Sequence, residues 1–418
     1  LSVVTPNVGG VRFLHTSDWH LGRSFHRVGL LDAQRDFLHW LVALAVERGV
    51  DAVLVPGDVF DRAVPPVEAV TIADEALTAF ATAGIPVVVT AGNHDSAARL
   101  GFGSGLARAA GVHVRTRLDE LDVPVVLADE HGPVHVFALP YLDPDTCHEA
   151  LGVARGHTAV MTAALDRVRA RLVAEPARSV VLAHAFVAGG APSESERDIR
   201  VGGVADVPAA VFDGVDYVAL GHLHGAQEVH GSTATVRYSG SPLRYSFGEA
   251  ARTPSVTVVD LAADGAVTVE LVPTPVPRAV ASVSGRLADL LADPALEGLE
   301  DAWLQVTLTD DRRPDAALEQ LRSRFPHTLV ITFRPEGGEV DPSEDLARLR
   351  AARDPVEVGT AFLAYVAGEP TEAEIDVLRV AEERARSRQV EGLPGLRSMP
   401  TVPEPDTAAS EDGSVGAA

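Results

Sequence analysis

Asp18 and His20, Asp58 and Asp61, Asn93 through Asp95, His184, and His222 with His224 stand at five places along the chain, each just behind a short apolar run. The runs are residues 11–14, 52–55, 87–90, 180–183 and 217–220. They lead in turn into Asp-x-His, Gly-Asp-x-x-Asp, Gly-Asn-His-Asp, a single His, and Gly-His-x-His. Carboxylate, amide and imidazole together make a donor set that suits Mn²⁺ or Fe²⁺, with Zn²⁺ also compatible. Side chains at i and i+2 of an extended segment point the same way, so Asp18 with His20, and His222 with His224, can each present two donors at once. The glycines before Asp58, Asn93 and His222 permit a sharp turn that leaves the next side chain at the end of its strand. Two cations ~3.5–4 Å apart would clamp both sides of an in-line displacement at phosphorus and activate a water. An imidazole outside the ligand set would then protonate the leaving oxygen.

Taken singly, these motifs are weak. An isolated Asp-x-His or a His after a strand is structural far more often than not, and Gly-Asp-x-x-Asp can be a turn with a capping Asp. Gly-Asn-His-Asp is more specific, because four polar or permissive residues come after a buried run with no packing reason. Order and number lift the set: five motifs in sequence, each behind its own strand.

The elements that must position them are read from periodicity. Short Val- and Leu-rich runs, including residues 134–139, read as buried strands. Helical periodicity fills residues 32–47, 67–83 and 158–174. Alternation of this kind predicts an α/β core with helices outside the sheets, and sites in such folds form beyond the carboxyl ends of the strands. Further β-rich stretches cover 235–238, 255–261 and 266–272. Pro273, Pro275 and Pro277 then punctuate the chain. After them a small β-α-β-α-β unit is expected, with strands at 279–283, 303–309 and 328–333 and helices at 287–292 and 315–325. Three short helices should come next. Asp354-Pro355-Val356-Glu357 caps one, and Thr371-Glu372-Ala373-Glu374 is a capping box. Their apolar positions, Leu346, Leu349, Phe362, Tyr365, Val366, Ile375 and Leu378, pack on their own domain or dock a partner. From Glu391 the chain turns Pro-, Ser- and acid-rich, the composition of a disordered tail.

Composition bounds the partners. The chain has 418 residues, a net charge of −24 and no Lys, so all 35 basic residues are Arg. That balance argues against a broad basic face for coating nucleic acid; a polyanion would need a local Arg patch, bound cations or a partner's surface. With Cys147 as the single cysteine, an intrachain disulfide is excluded and a thiolate zinc site is not expected. No apolar run reaches the ~18 residues of a bilayer span. Residues 1–6 lack the basic start and apolar core of a signal peptide, so a cytoplasmic protein is the expectation.

In their order, the five motifs resemble those of the calcineurin-like metallophosphoesterases. More narrowly, Leu14 through Gly22, Ala91 through Ser96, Arg197 through Gly203, and Tyr238 through Pro242 with the later Ser246-Phe247 resemble the family of bacterial DNA nuclease subunits that work with an SbcC-type ATPase. The motif resemblance covers residues 11 to about 260; later parts match in layout only. It implies a two-sheet β-sandwich flanked by helices, with a small α/β capping domain and C-terminal helices. It further implies two divalent metal ions, typically Mn²⁺. One ion would be held by Asp18, His20, Asp58 and His224, the other by Asp58, Asn93, His184 and His222, with Asp58 bridging. His94 would be the general acid. Asp61 and Asp95 would orient ligands. The implied activity is duplex exonuclease and single-strand or hairpin endonuclease action on DNA, by a homodimer within a heterotetramer with the ATPase. Expected boundaries are 1–277 for the nuclease domain, 278–340 for the cap, 341–390 for the ATPase-binding helices and 391–418 for the tail. Trp19, Leu21, Phe25, Arg23 and Arg27 could line a DNA path, although Trp19 reads equally well as structural. A small-molecule phosphodiesterase or phosphatase of the same fold is the rival reading, and a non-catalytic scaffold the less favoured one.

Overall fold

In the computed structural model the described residues are 9–196, 207–335, 352, 354–367 and 370–390. The expected tail at 391–418, the 197–203 motif and the helix around Leu346 and Leu349 lie outside them. The chain divides into two compact units, residues 1–308 with 316–332, and residues 309–315 with 333–418.

The larger unit carries strands β1 (Gly10–His15), β2 (Ser24–Phe25), β3 (Val28–Gly29), β4 (Ala52–Pro56), β5 (Val87–Thr90) and β6 (Val112–Arg115). Then come β7 (Val125–Asp129), β8 (Gly132–Leu139), β9 (Arg178–His184), β10 (Tyr217–Gly221), β11 (Gln227–Val229) and β12 (Thr235–Tyr238). β13 (Ser255–Ala262), β14 (Val267–Pro273), β15 (Val280–Gly285), β16 (Trp303–Leu308) and β17 (Thr328–Phe333) complete the strands. Its helices are α1 (Leu31–Glu47), α2 (Val67–Thr82), α3 (Ala97–Leu100), α4 (Ser104–Ala107), α5 (Pro144–Leu151), α6 (His157–Ala174), α7 (Leu287–Ala292) and α8 (Ala317–Arg324). The anticipated strands and helices are present, with ends shifted by a residue or two.

Two six-stranded sheets form the frame, in the orders β14-β13-β1-β4-β5-β6 and β11-β12-β10-β9-β8-β7. The central strands are parallel: β1 with β4, β4 with β5, β8 with β9, and β9 with β10. Each is apolar on both faces because each is covered on both. Phe13, Leu54, Val88, Val180, Leu182, Tyr217 and Ala219 point into the layer between the sheets. Their neighbours Leu14, Val53, Val55, Val87 and Val89 face α1 and α2 through Phe37, Leu41, Ile72 and Phe80. Val181, Ala183, Val218 and Leu220 meet Val160, Leu165 and Val168 of α6. Continuous Val/Leu runs in the sequence are thus alternating sets for two different cores. His15 crosses between the sheets: its Nε2–H donates to Leu220 O (3.1 Å) and its Nδ1 accepts from Tyr217 Oη (2.9 Å). This registers the ends of β1 and β10, where the chemistry-bearing residues begin.

The cap-like segment has the sheet order β15-β16-β17 with α7 and α8. Val280 and Trp303 join a cluster with Phe25, Leu30, Leu243, Tyr245 and Phe247. Burial settles three of the residues considered for a DNA path. Trp19, Leu21 and Phe25 are at most 1% exposed, so they are core residues. Arg23 stacks over Tyr245, 4.8 Å from its ring centre, and only Arg27 stands out in solvent.

In the second unit, α9 (Pro355–Ala367) and α10 (Glu372–Val390) pack on each other. Asp354 Oδ1 accepts from Glu357 N (2.8 Å), and Thr371 and Glu374 close a reciprocal capping box. No helix among the described residues is long and apolar enough to cross a membrane.

Candidate metal centre

β1, β4, β5, β9 and β10 all end at one edge of the sandwich, and the donors named from the sequence meet there. His20 Nε2 lies 3.1 Å from His224 Nε2 and 3.6 Å from Asp58 Oδ2. His184 Nε2 lies 2.8 Å from Asn93 Oδ1 and 3.5 Å from Asp58 Oδ2. His222 Nδ1 is 3.2 Å from the same Asn93 oxygen. Asp18 accepts from His222 N at 3.0 and 3.1 Å and from Ser17 Oγ at 2.5 Å. Ligand-capable atoms of Asp18, His20 and His224, of Asp18, Asp58 and His184, and of His20, Asp58 and His94 fall within 4.8 Å of one another. Asp58 occurs in two of these groups. Asn93 and His222 border the His184 side.

The backbone is held in unusual shapes to achieve this. Asp18, His20, Asp58 and His222 have φ of 55°, 45°, 50° and 110°, a region that costs a non-glycine residue of order 1–3 kcal/mol. The expected glycine turns are accordingly revised. Gly57 does take φ +90°, but before Asn93 and His222 the glycines serve packing instead. A Cβ on Gly92 would collide with the Asp58 carboxylate, and one on Gly221 with the Pro56 carbonyl.

Donor bookkeeping shows what the pocket lacks. His184 Nδ1–H donates to Pro56 O (2.9 Å), so its Nε2 presents a lone pair, and it faces the Asn93 carbonyl oxygen. Among the described residues, Asn93 Nδ2 and His20 Nδ1 are buried without a hydrogen-bond partner. The lone pairs of His184 Nε2, Asn93 Oδ1 and Asp58 Oδ2 converge on the same small volume, which is the arrangement that cations satisfy. The electrostatics agree. Burial and the neighbouring Asp58 push the Asp18 carboxyl well above its ordinary range. Burial, His224 and Arg23 push His20 well below the usual imidazole range, and burial lowers His184. Bound dications reverse such penalties. The residues therefore fit a pair of divalent ions.

Asp61 and Asp95 sit around this set. Asp95 accepts from the backbone N–H groups of Val59, Phe60 and Gly92, which ties the turn after β4 to the turn after β5. Burial, with Asp58 nearby, nevertheless lifts its carboxyl to about 7. Asp61 Oδ1 is 3.7 Å from His20 Nδ1, and Asp61 O accepts from His94 Nδ1 at 2.8 Å. His94 is half-exposed, and its backbone N–H reaches Asp58 Oδ1 (2.9 Å).

Several supporting residues were not found from the sequence. Buried Gln34 on α1 donates to the carbonyls of Trp19 and His20 and accepts from Gly22 N, fixing the turn that carries His20. Glu196 Oε1 accepts from His224 N (2.8 Å). Glu249 is 2% exposed and lies beside His224. Burial works to raise its carboxyl, but hydrogen bonding and charge from His224, with Ser195 and Tyr245 N, hold it down at about 2. Ser246-Phe247 was a recognisable stretch, yet nothing in it marks the Glu two positions on as buried.

A two-sheet sandwich whose parallel strands deliver carboxylate, amide and imidazole to one edge is suited to holding divalent cations there. Residues 11–226 match the family described as calcineurin-like phosphoesterase, and residues 276–366 match one described as the type 5 capsule protein repressor C-terminal domain. The D subunit of the SbcCD nuclease of Rhodobacter capsulatus is 36% identical over 377 residues, 81% of this chain and 92% of that protein. The protein of the same name from Bacillus subtilis is 37% identical over 261 residues, covering 60% of this chain and 66% of that protein, just under two thirds. Among solved structures, a dimetal phosphatase from Danio rerio is 12% identical over 64% of this chain and 98% of that one, at a TM-score of 0.39. The chain belongs to the calcineurin-like phosphoesterases, and within them to the family of the SbcCD D subunits. It is accordingly a phosphodiester hydrolase.

Proposed function

We propose that the chain is a DNA nuclease of the SbcCD type, using two divalent metal ions, Mn²⁺ by preference. It would degrade duplex ends in the 3′–5′ direction and cut single strands and hairpins. The observation that carries this reading is the convergence of Asp18, His20, Asp58, Asn93, His184, His222 and His224 at one sheet edge, in a chain related to proteins named as nuclease subunits.

In this reading Asp18, His20, Asp58 and His224 hold one ion, and Asp58, Asn93, His184 and His222 the other. Ions held there would polarise the scissile phosphate and activate a water. His94 is the general acid. Its Nδ1–H is committed to Asp61 O, which leaves Nε2 to carry the proton to the leaving oxygen. Asp95 and Asp61 keep the two turns in register.

DNA, an SbcC-type ATPase and a second copy of the chain are the proposed partners, in a cytoplasmic heterotetramer acting in DNA repair and recombination. The acidic balance makes the ATPase the main source of DNA affinity, with few Arg–phosphate contacts from this chain. Val358, Phe362, Val377 and Val380 are 43%, 53%, 68% and 47% exposed on the paired helices, which supports ATPase docking by the 341–390 segment. The division into nuclease domain (1–277), cap (278–340), docking helices and tail (391–418) belongs to the same proposal. A self-association face is supported by an apolar cavity of about 680 Å³ between α2 and the α3–α4 stretch, lined by Val64, Val70, Leu77, Leu100 and Phe102. Phe102 is 91% exposed and neighbouring Leu106 84%.

The test is digestion of end-labelled duplex and hairpin DNA with Mn²⁺, by the chain alone and with the ATPase plus ATP. Mn²⁺-dependent cleavage, extended on duplex by ATP and the ATPase, is expected. Hydrolysis of cyclic nucleotides or phosphomonoesters with DNA left intact would replace the reading by the small-molecule one.

A further inference from the structure

His224 is the most elaborately supported of the candidate ligands, and its support comes from a distant part of the chain. Ser195 Oγ lies 2.5 Å from His224 Nδ1 and also hydrogen-bonds Glu249 Oε1. Glu249 Oε1 is itself 3.4 Å from His224 Nδ1 and 2.9 Å from Ser193 Oγ, while its other oxygen accepts from Tyr245 N (2.7 Å).

Proton counting orients the chain of contacts. An ionised carboxylate only accepts, so the Ser195 hydroxyl must donate its single proton to Glu249. The Ser195 oxygen is then an acceptor toward the imidazole. His224 must therefore carry its proton on Nδ1, and its Nε2 keeps a lone pair. That Nε2 is the atom facing His20 Nε2 at 3.1 Å. Glu196 adds a second restraint by accepting from His224 N, and its other oxygen accepts from Ser193 N (2.6 Å) and Ser193 Oγ (2.7 Å).

We propose that Glu249 and Ser195 are positioning residues, a carboxylate–serine–histidine relay that fixes His224 as the Nδ1–H tautomer with Nε2 aimed at the ion it shares with His20. The inference rests on the metal-centre reading above and assigns it two residues that the five motifs do not contain. Partners of this kind lock both the tautomer and the ring plane of a ligating histidine, and losing one typically costs roughly 10- to 100-fold in metal affinity. The relay also explains why a carboxylate only 2% exposed is tolerated: one oxygen takes a hydrogen bond from Ser195 and the other from Tyr245 N.

Two measurements on the full chain test it. The first uses protein labelled with ¹⁵N in histidine and freed of metal, whose long-range ¹H–¹⁵N spectra report each ring's tautomer; His224→Gln identifies the signal. The relay requires Nδ1–H for His224 in the wild type and a mixture of tautomers in Ser195→Ala. An Nε2–H ring in the wild type, or an unchanged ring in Ser195→Ala, overturns it. The second is Mn²⁺ titration by calorimetry. Ser195→Ala should weaken one of two sites by roughly 10- to 100-fold and leave the other unchanged, with Ser195→Thr restoring it and Glu249→Gln behaving like Ser195→Ala. Equal weakening of both sites, or of neither, overturns the relay. If the wild type takes up no Mn²⁺, the metal-centre reading has failed instead, and the tautomer measurement still decides the relay.

Discussion

His20 and His224, 204 positions apart in sequence, bring their Nε2 atoms to 3.1 Å, close enough for one ring's N–H to donate to the other or for a cation to lie between them. Two imidazole nitrogens held at this distance inside a buried pocket repel unless a proton or a cation lies between them. Desolvation already pushes His20 far toward its neutral form. The metal predictions rest on this pair and on Asp58 next to it.

Metal binding should stabilise the fold. Only the folded chain gathers Asp18, His20, Asp58 and His224, so an ion at 100 times its Kd adds about 2.7 kcal/mol. Scanning calorimetry after exhaustive chelation, and again with Mn²⁺ restored, should show a lower Tm that recovers. Asp58→Ala should abolish most of that recovery, together with cleavage.

His94→Gln should separate binding from chemistry. His94 donates to Asp61 O and is half-exposed, so replacing it leaves the ligand set intact. Loss of a general acid typically costs ~10²–10⁴ in kcat. Unchanged Mn²⁺ stoichiometry with kcat reduced to that extent is the expected outcome. Loss of an ion in this variant would make His94 a ligand.

Gly92→Ala should be far more damaging than an ordinary exposed Gly→Ala change. The new methyl would meet the Asp58 carboxylate, and that clash cannot be relieved without moving a central donor. Overpacking of this kind costs about 1–3 kcal/mol. Urea unfolding should register that loss, and calorimetry a weakened metal affinity. Gly84→Ala serves as a control: it has open space around it, though its φ of +71° carries a cost of its own.

His15 gives the fold a pH dependence separate from metal binding. Burial holds the imidazole neutral, lowering it from its usual 6.5 to about 3. The unfolded chain takes up a proton near pH 6.5, and the folded one does not until about pH 3. The stabilisation is therefore complete above 6.5 and drains away as pH falls toward 3, at roughly 1.4 kcal/mol per unit. His15→Gln keeps a donor and an acceptor but cannot titrate, so its unfolding free energy should fall less steeply than that of the wild type across this range.

Phe102→Asp with Leu106→Asp tests the self-association face. Sedimentation should show a dimer for the wild type and a monomer for the double variant, with secondary structure unchanged because both side chains already lie in solvent. A dimer that survives both charges places the contact elsewhere.

Much of the centre was legible because strand ends are legible. A parallel strand buried on both faces needs an unbroken apolar run, and whatever polar residue ends it must project from the sheet edge. Asp18, Asp58, Asn93, His184 and His222 could therefore be picked out by where their runs stop. Residues that support the centre from elsewhere gave no such sign. Gln34 lies on a helix whose pattern gives no reason to expect a buried amide, and Glu249 ends a short turn. Leu21 and Phe25 had the composition of a binding surface and are instead core, as is Trp19, which read equally well either way.

The sequence by itself determined which residue types stand behind each buried run, because hydrophobic periodicity and donor chemistry are local properties. Tertiary structure decided which donors share a space, which imidazole nitrogen faces inward, and that glycine at 92 and 221 answers to neighbours rather than to φ. Those outcomes depend on distances between segments as much as 206 residues apart, and such distances are set by how two sheets pack through His15, Tyr217 and their apolar layer.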